Sequence, residues 1–67
     1  MPNLNALKGR LRENRKTYAQ CAAELGISTT AFSEKMNGKS KFTVEEANSL
    51  ACFLNLNNRE KVEIFLN

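Results

Sequence analysis

The chain has 67 residues and a formal net charge of +3, with ten lysines and arginines against seven acidic residues. Two cysteines are too few for a disulfide framework, and the lack of histidine excludes a Cys2His2 zinc site. No apolar stretch approaches the ~20 residues of a membrane span, and the start lacks the basic and apolar regions of a signal peptide. We therefore expect one soluble intracellular domain without metal or cofactor, with both thiols in or near the core of a protein from a reducing cytoplasm.

The charge is distributed unevenly along the chain. Residues 1–41 hold eight Lys/Arg and three Glu, a charge of +5, whereas residues 42–67 hold two Lys/Arg and four Glu, a charge of −2. This asymmetry predicts a polyanion-binding face opposite another surface. From charge alone, a solvated surface with a chance asymmetry explains it equally well.

Helical spacing of apolar residues recurs throughout, and no useful length alternates like a strand. The first helix is predicted over about 4–13. The second begins after Thr17, which has capping-box spacing to Gln20, and ends at Gly26. The apolar positions at helical spacing are Leu4, Leu7 and Leu11 in the first helix. In the second helix they are Tyr18, Cys21, Ala22 and Leu25.

The third helix is predicted to begin after the N-cap Ser28 and to stop at Asn37-Gly38. Thr43 and Glu46 have capping-box spacing and announce the fourth helix. The fifth starts near residue 57 or 58. The predicted apolar faces of these two helices are Val44, Ala47, Leu50, Ala51 and Leu54, and then Val62, Phe65 and Leu66.

The second and third helices are joined by Gly26, Ile27 and Ser28 alone. So short a turn makes the helices cross steeply, and a small residue, Ala22, stands where they approach. This spacing is typical of the helix-turn-helix unit, in which the second helix enters the major groove of DNA.

The segment from Tyr18 to Met36 resembles the helix-turn-helix of the Xre family, which includes the phage Cro and CI repressors. The matching residues are Cys21, Ala22, Leu25, Gly26, Ile27 and Phe32, followed by Asn37-Gly38-Lys39-Ser40. The resemblance extends over about residues 4–56, and the segment 32–42 is most similar to short Cro-like regulators of Gram-positive phages and prophages.

The resemblance implies an all-α fold, a five-helix lambda-repressor-like DNA-binding domain, with residues 1–67 as a single domain. It implies a Cro-like phage or prophage transcriptional repressor that binds double-stranded operator DNA as a homodimer in the bacterial cytoplasm. There is one departure from the family pattern. Many members carry an apolar residue where Lys35 stands, and here Met36, at ~40° from Phe32 on the helical wheel, is predicted to pack inward instead.

The family's base contacts come mainly from the first turn of the third helix and from one turn later. Carried over residue by residue, they fall on Ser28, Thr29, Thr30, Ser33 and Glu34. These side chains are short or polar, and without Arg, Asn or Gln in the first two turns we expect modest direct base readout. The alternatives are a purely capping Ser28, a solvated face for the threonines and Ser33, and no DNA contact for Glu34.

Phosphate contacts are predicted from the two regions that flank the third helix. They are Arg15, Lys16, Thr17 and Tyr18 before it, and Asn37, Lys39, Ser40 and Lys41 after it. Free N–H groups at the start of the second helix also suit a phosphate. The alternative for each lysine is an ordinary exposed charge.

Two large apolar residues lie outside the predicted inward stripes. Phe53 is ~180° from Val44, and Ile64 is ~160° from Val62. Phe53, Ile64 and Phe65 are therefore the predicted dimer interface. An enzyme is not expected, since the sequence lacks histidine, a paired-carboxylate motif and a phosphate loop. The alternative function is a protein-interaction module on the same fold, such as an antirepressor that binds a partner repressor, or an antitoxin.

Overall fold

The computed structural model describes residues 2–66, which form five α-helices and no strand. The helices are α1 (Leu4–Glu13), α2 (Tyr18–Leu25), α3 (Thr29–Met36), α4 (Val44–Phe53) and α5 (Asn58–Phe65). The prediction of an all-α fold with five helices is confirmed. Over the same residues, no helix has both the length and the apolar character needed to span a bilayer.

Every helix begins at a side chain that accepts a hydrogen bond from the backbone three residues further on. Thr17 Oγ1 accepts from the Gln20 N–H at 3.1 Å, and Gln20 Oε1 accepts from the Thr17 N–H at 2.9 Å. The capping box predicted at Thr43 is also present, and a third, not predicted, lies at Asn57. Because these caps satisfy backbone donors locally, they set the starts of the helices wherever the helices pack.

The core is built around Phe32, whose side chain is fully buried. The ring of Phe32 meets Tyr18 at 5.3 Å and Phe42 at 6.0 Å between centroids, and Phe42 meets Phe65 at 5.6 Å, all edge to face. Met36 is also fully buried, which confirms its predicted inward packing. The aromatic series joins α2, α3, the α3–α4 connection and α5, so the orientation of α3 depends on packing with all of them.

The buried face of α5 differs from the prediction. Ile64 is only 2 % exposed, whereas Val62 is 49 % and Leu66 is 73 % exposed. The predicted inward positions of Val62 and Leu66 are therefore wrong, and so is the predicted outward position of Ile64. The Asn3 N–H donates to the Ile64 carbonyl at 2.6 Å, which ties the start of α1 to this end of α5.

Two charged residues on α5 explain the error. Glu60 and Lys61 are half-buried, and both lie within ~60° of Ile64 on the helical wheel. Their charged ends have partners: Glu60 Oε2 lies 2.8 Å from Arg10 Nη2, and Lys61 Nζ donates to Asn48 Oδ1 at 2.9 Å. A helical-wheel prediction that places only apolar residues inward assigns these two positions to solvent.

Three smaller predictions can also be checked. Val44, predicted on the inward face of α4, is 76 % exposed because it is the first residue of the helix and precedes the core. Cys21 is buried, as predicted, and burial raises the pKa of its thiol, with Lys16 acting in the opposite direction. Cys52 is exposed, and its predicted position in or near the core is wrong.

Candidate nucleic-acid interface

The turn between α2 and α3 has the backbone that its sequence predicts. Gly26 ends α2 in the left-handed region, with φ at 71°, where a side chain would be strained. The Ile27 N–H donates to the Ala22 carbonyl at 3.0 Å, and Ser28 Oγ accepts from the Ala31 N–H at 3.0 Å. Ala22 is buried at this junction. The local hydrogen bonds thus hold α3 at a defined position relative to α2.

The predicted base-reading side chains lie on the solvent-facing side of α3, with one exception. Ser28, Thr29, Thr30 and Glu34 are exposed, whereas Ser33 is half-buried. Ser28 also caps the helix, as the alternative interpretation requires. Within residues 2–66, the side chains of Thr29, Thr30 and Glu34 form no hydrogen bond or ion pair, so these groups are free to meet an external partner.

The flank that precedes α2 is only partly available. Arg15 is exposed and its backbone is left-handed, with φ at 55°. Lys16 turns toward α4, and its Nζ lies 4.6 Å from the centroid of the Phe53 ring. Thr17 caps α2, and the Tyr18 ring packs against Phe32. Of the predicted phosphate contacts on this flank, Arg15 is therefore the most accessible charged group.

The flank that follows α3 is more open. We call residues 37–43 the connecting loop. Its predicted phosphate contacts, Asn37, Lys39, Ser40 and Lys41, are all exposed. Gly38 has φ at 80°, and the Lys39 N–H donates to the Glu34 carbonyl at 2.9 Å, so the loop turns tightly after α3. No carboxylate of residues 2–66 pairs with Lys39 or Lys41.

Lys35 was not predicted as a site residue, and it points away from the exposed face of α3. Its Nζ lies 3.0 Å from Glu46 Oε1 and donates to the Lys41 carbonyl at 2.8 Å. The side chains of Lys35 and Glu46 are 14 % and 16 % exposed. The hydrogen bond from the Thr43 N–H, and next the contact with Lys35, lower the pKa of the Glu46 carboxyl. The sequence signal was that Lys35 lies only ~60° from the inward Phe32 on the helical wheel.

Most charged side chains of residues 42–66 are already in ion pairs. Glu60 binds Arg10, and Glu63 lies 3.4 Å from Arg59. Lys8 and Arg12 on α1 join Arg15, Lys39 and Lys41 as cations that no described carboxylate pairs with. The positive charge of the amino-terminal part is thus largely left without neutralisation inside the protein.

This arrangement can bind a polyanion, since exposed cations precede and follow, along the chain, a polar and mostly uncharged helix face. In the part of the chain that the structure describes, no three His, Cys or acidic side chains come together as metal ligands would. A scan of the chain against protein-family models found no match, and neither did a search of curated protein sequences.

Proposed function

We propose that the protein is a sequence-specific DNA-binding transcriptional regulator with a lambda-repressor-like fold. In this proposal α2 and α3 form a helix-turn-helix and α3 enters the major groove. One observation carries the proposal: the exposed polar face of α3 lies between flanks whose cations, Arg15, Lys39 and Lys41, have no carboxylate partner among residues 2–66. The chemistry suits DNA binding rather than catalysis, and the resemblance to Xre-family proteins favours a Cro-like phage or prophage repressor.

The two groups of side chains have different tasks in this proposal. Thr29 and Thr30 offer a methyl group to thymine and a hydroxyl to a donor or an acceptor, and Glu34 accepts from cytosine N4. Arg15, Lys39 and Lys41 contact phosphates and supply most of the salt-dependent affinity. Because the helix carries no bidentate reader in its first turns, DNA shape contributes a large share of the specificity.

A homodimer on a two-fold operator is part of the proposal, but its interface changes. Ile64 is buried in the protomer and has little surface left for a partner. Phe53 and Phe65 are half-buried, and Leu66, beside Phe65, is largely exposed. We assign the self-contact to Phe65 and Leu66, at the carboxy-terminal end of α5. Light scattering should show wild type as a dimer and Leu66→Glu as a monomer, and Ala23→Glu, at an exposed position of α2 outside this surface, serves as its control.

The alternative of a protein-interaction module is favoured by one specific feature. Phe42, Val44, Ala47, Phe65 and Leu66 line an apolar groove of about 490 Å³, and Lys41 stands at its edge. An apolar groove with an unpaired lysine suits an acidic amphipathic helix of a partner protein. Under this alternative the α3 face would bind no DNA at low salt.

The experiment that tests the main proposal is selection of bound duplexes from a random pool, followed by affinity measurements at several salt concentrations. We expect a defined two-fold sequence for wild type. Thr30→Ala should relax the preference at one position in each half-site and leave phosphate contacts unchanged. Ser49→Ala, which removes an exposed hydroxyl from α4, is the matched control. Selection that yields no preferred sequence, together with unchanged affinity for Thr30→Ala and Lys39→Ala, would contradict the proposal.

A further inference from the structure

The connecting loop carries two of the proposed phosphate-binding lysines, but its middle has little backbone support. Its start is held by the Gly38 N–H to the Lys35 carbonyl at 3.2 Å and by the Lys39 N–H to the Glu34 carbonyl at 2.9 Å. Its end is held by the Phe42 ring, which packs between Phe32 and Phe65. Within residues 2–66, no backbone–backbone hydrogen bond engages Ser40 or Lys41.

A side chain supplies the missing support. Lys35 leaves the last turn of α3 and donates to the Lys41 carbonyl at 2.8 Å. Its ammonium is held there by Glu46, 3.0 Å away, and lies 5.9 Å from the centroid of the Phe42 ring. Glu46 Oε1 also accepts from the Thr43 N–H at 2.9 Å. Glu46 Oε1 thus contacts both the Thr43 N–H at the cap of α4 and the ammonium of Lys35. The same ammonium bonds the backbone carbonyl of Lys41.

We propose that Lys35 is a positioning residue for phosphate binding: it orders the connecting loop from inside and acts on DNA through Lys41. This inference rests on the proposed DNA-binding function. The side chain is largely buried and both of its polar contacts lie within the protein, so it is placed to hold the loop rather than to meet a phosphate. The outward lysines would then be presented in an ordered loop before DNA arrives.

The physical advantage is that the loop need not be ordered on binding. Without the Lys35 contact, the Lys41 carbonyl would turn to water and the middle of the loop would sample more conformations. Ordering it at the moment of binding would then reduce affinity, by about threefold to tenfold for one or two immobilised residues. An apolar residue at this position fills the same space but cannot donate to a carbonyl.

The test compares variants in the free protein and on DNA. Lys35→Met removes both polar contacts, and Lys35→Arg keeps a donor and a charge. Glu46→Gln removes the charge that holds Lys35 while an amide can still complete the capping box. Lys61→Met is the matched control, because it removes the same charge from a lysine that bonds Asn48, away from the loop. The probe is a duplex of mixed sequence, since phosphate contacts act without sequence preference.

We expect Lys35→Met to lower the backbone ¹⁵N order parameters of Ser40 and Lys41 and to weaken duplex binding about threefold to tenfold. Lys35→Arg should recover most of both losses, Glu46→Gln should show smaller ones, and Lys61→Met should leave the order parameters unchanged. Because Lys35 acts through Lys41, the Lys35→Met and Lys41→Ala losses should be strongly non-additive in the double variant.

Two results would overturn the inference. One is unchanged order parameters at Ser40 and Lys41 in Lys35→Met, and the other is full additivity with Lys41→Ala. If Lys35→Met does not fold, Glu46→Gln decides the matter with the same two measurements. A wild-type protein that binds no duplex at low salt overturns the proposed function and the DNA-binding consequence. The order parameters of the free protein then still decide whether Lys35 orders the loop.

Discussion

The acidic side chains of α4 and α5 and the basic side chains around α3 are used in opposite ways. Glu46 and Glu60 each lie within 3.0 Å of a cation on another part of the chain. Arg15, Lys39 and Lys41 are exposed and meet no carboxylate among residues 2–66. Glu46 and Glu60 therefore join different parts of the chain, whereas Arg15, Lys39 and Lys41 remain available to an external partner. Net charge alone does not reveal this difference.

The largest expected effect is the unfolding of both regions, because they share one core. Phe32→Ala removes a fully buried ring that contacts Tyr18 and Phe42. Such truncations cost about 3–5 kcal/mol, and a domain of this size has roughly 3–10 kcal/mol of stability in total. We expect a largely unfolded variant by circular dichroism. Val44→Ala, at an exposed position, should stay within about 0.5 kcal/mol of wild type. Cooperative melting of Phe32→Ala near the wild-type temperature would contradict this account of the core.

The second-largest effect should appear in DNA binding through the connecting loop and not in the stability of the fold. Lys39→Ala with Lys41→Ala should leave the melting temperature nearly unchanged, because both side chains are exposed. The slope of log affinity against log salt should become shallower by about 1 for each lysine that contacts a phosphate. Fluorescence anisotropy of a labelled duplex at several salt concentrations measures it. Arg59→Ala removes an exposed cation from α5 and should keep the wild-type slope, and equal slopes in all three proteins would remove the loop from the interface.

A third prediction distinguishes two threonines on neighbouring helices. Thr17 caps α2 through its side chain, so Thr17→Ala should lower the free energy of unfolding by about 0.5–2 kcal/mol. Thr30 is exposed on α3 without a side-chain hydrogen bond among the described residues, and Thr30→Ala should change stability by less than about 0.5 kcal/mol. Urea unfolding measures both. A Thr30→Ala variant as unstable as Thr17→Ala would show that Thr30 belongs to the packed structure rather than to a free binding face.

The smallest expected effect is on the stability of the protein at low pH. The Thr43 N–H, and next Lys35, lower the pKa of Glu46 in the folded protein. Its contribution to stability is therefore complete above the ordinary glutamate pKa of about 4.3 and is lost as the pH falls through the lowered folded-state value. Urea unfolding from about pH 6 downward should show a shallower acid dependence in Glu46→Gln than in wild type, by less than about 1 kcal/mol. A Glu46→Gln curve parallel to wild type would contradict the lowered pKa of Glu46.

Local features of the helices were predictable because they depend on residues only a few positions apart. The capping boxes at Thr17 and Thr43 and the left-handed Gly26 mark where helices begin and end through hydrogen bonds that span three to five residues. The polar face of α3 was predictable for the same reason, because helical periodicity places it away from the inward Phe32. The helix bounds and the exposure of Thr30, Glu34 and Asn37 therefore agree with the sequence-based predictions, whereas Ser33, predicted to face outward, is half-buried.

Tertiary packing decided which face each helix buries and which charges remain free. Ile64 faces the core beside Glu60 and Lys61, whose charged ends are paired with Arg10 and Asn48 on other helices. The direction of Lys35 depends on Glu46 and the Lys41 carbonyl, neither of which lies on its own helix. The periodicity of one helix contains no information about partners on another. The sequence by itself determined the helices and the polar face of α3, whereas the fold decided the buried face of α5 and the support of the connecting loop, because long-range contacts satisfy those charges.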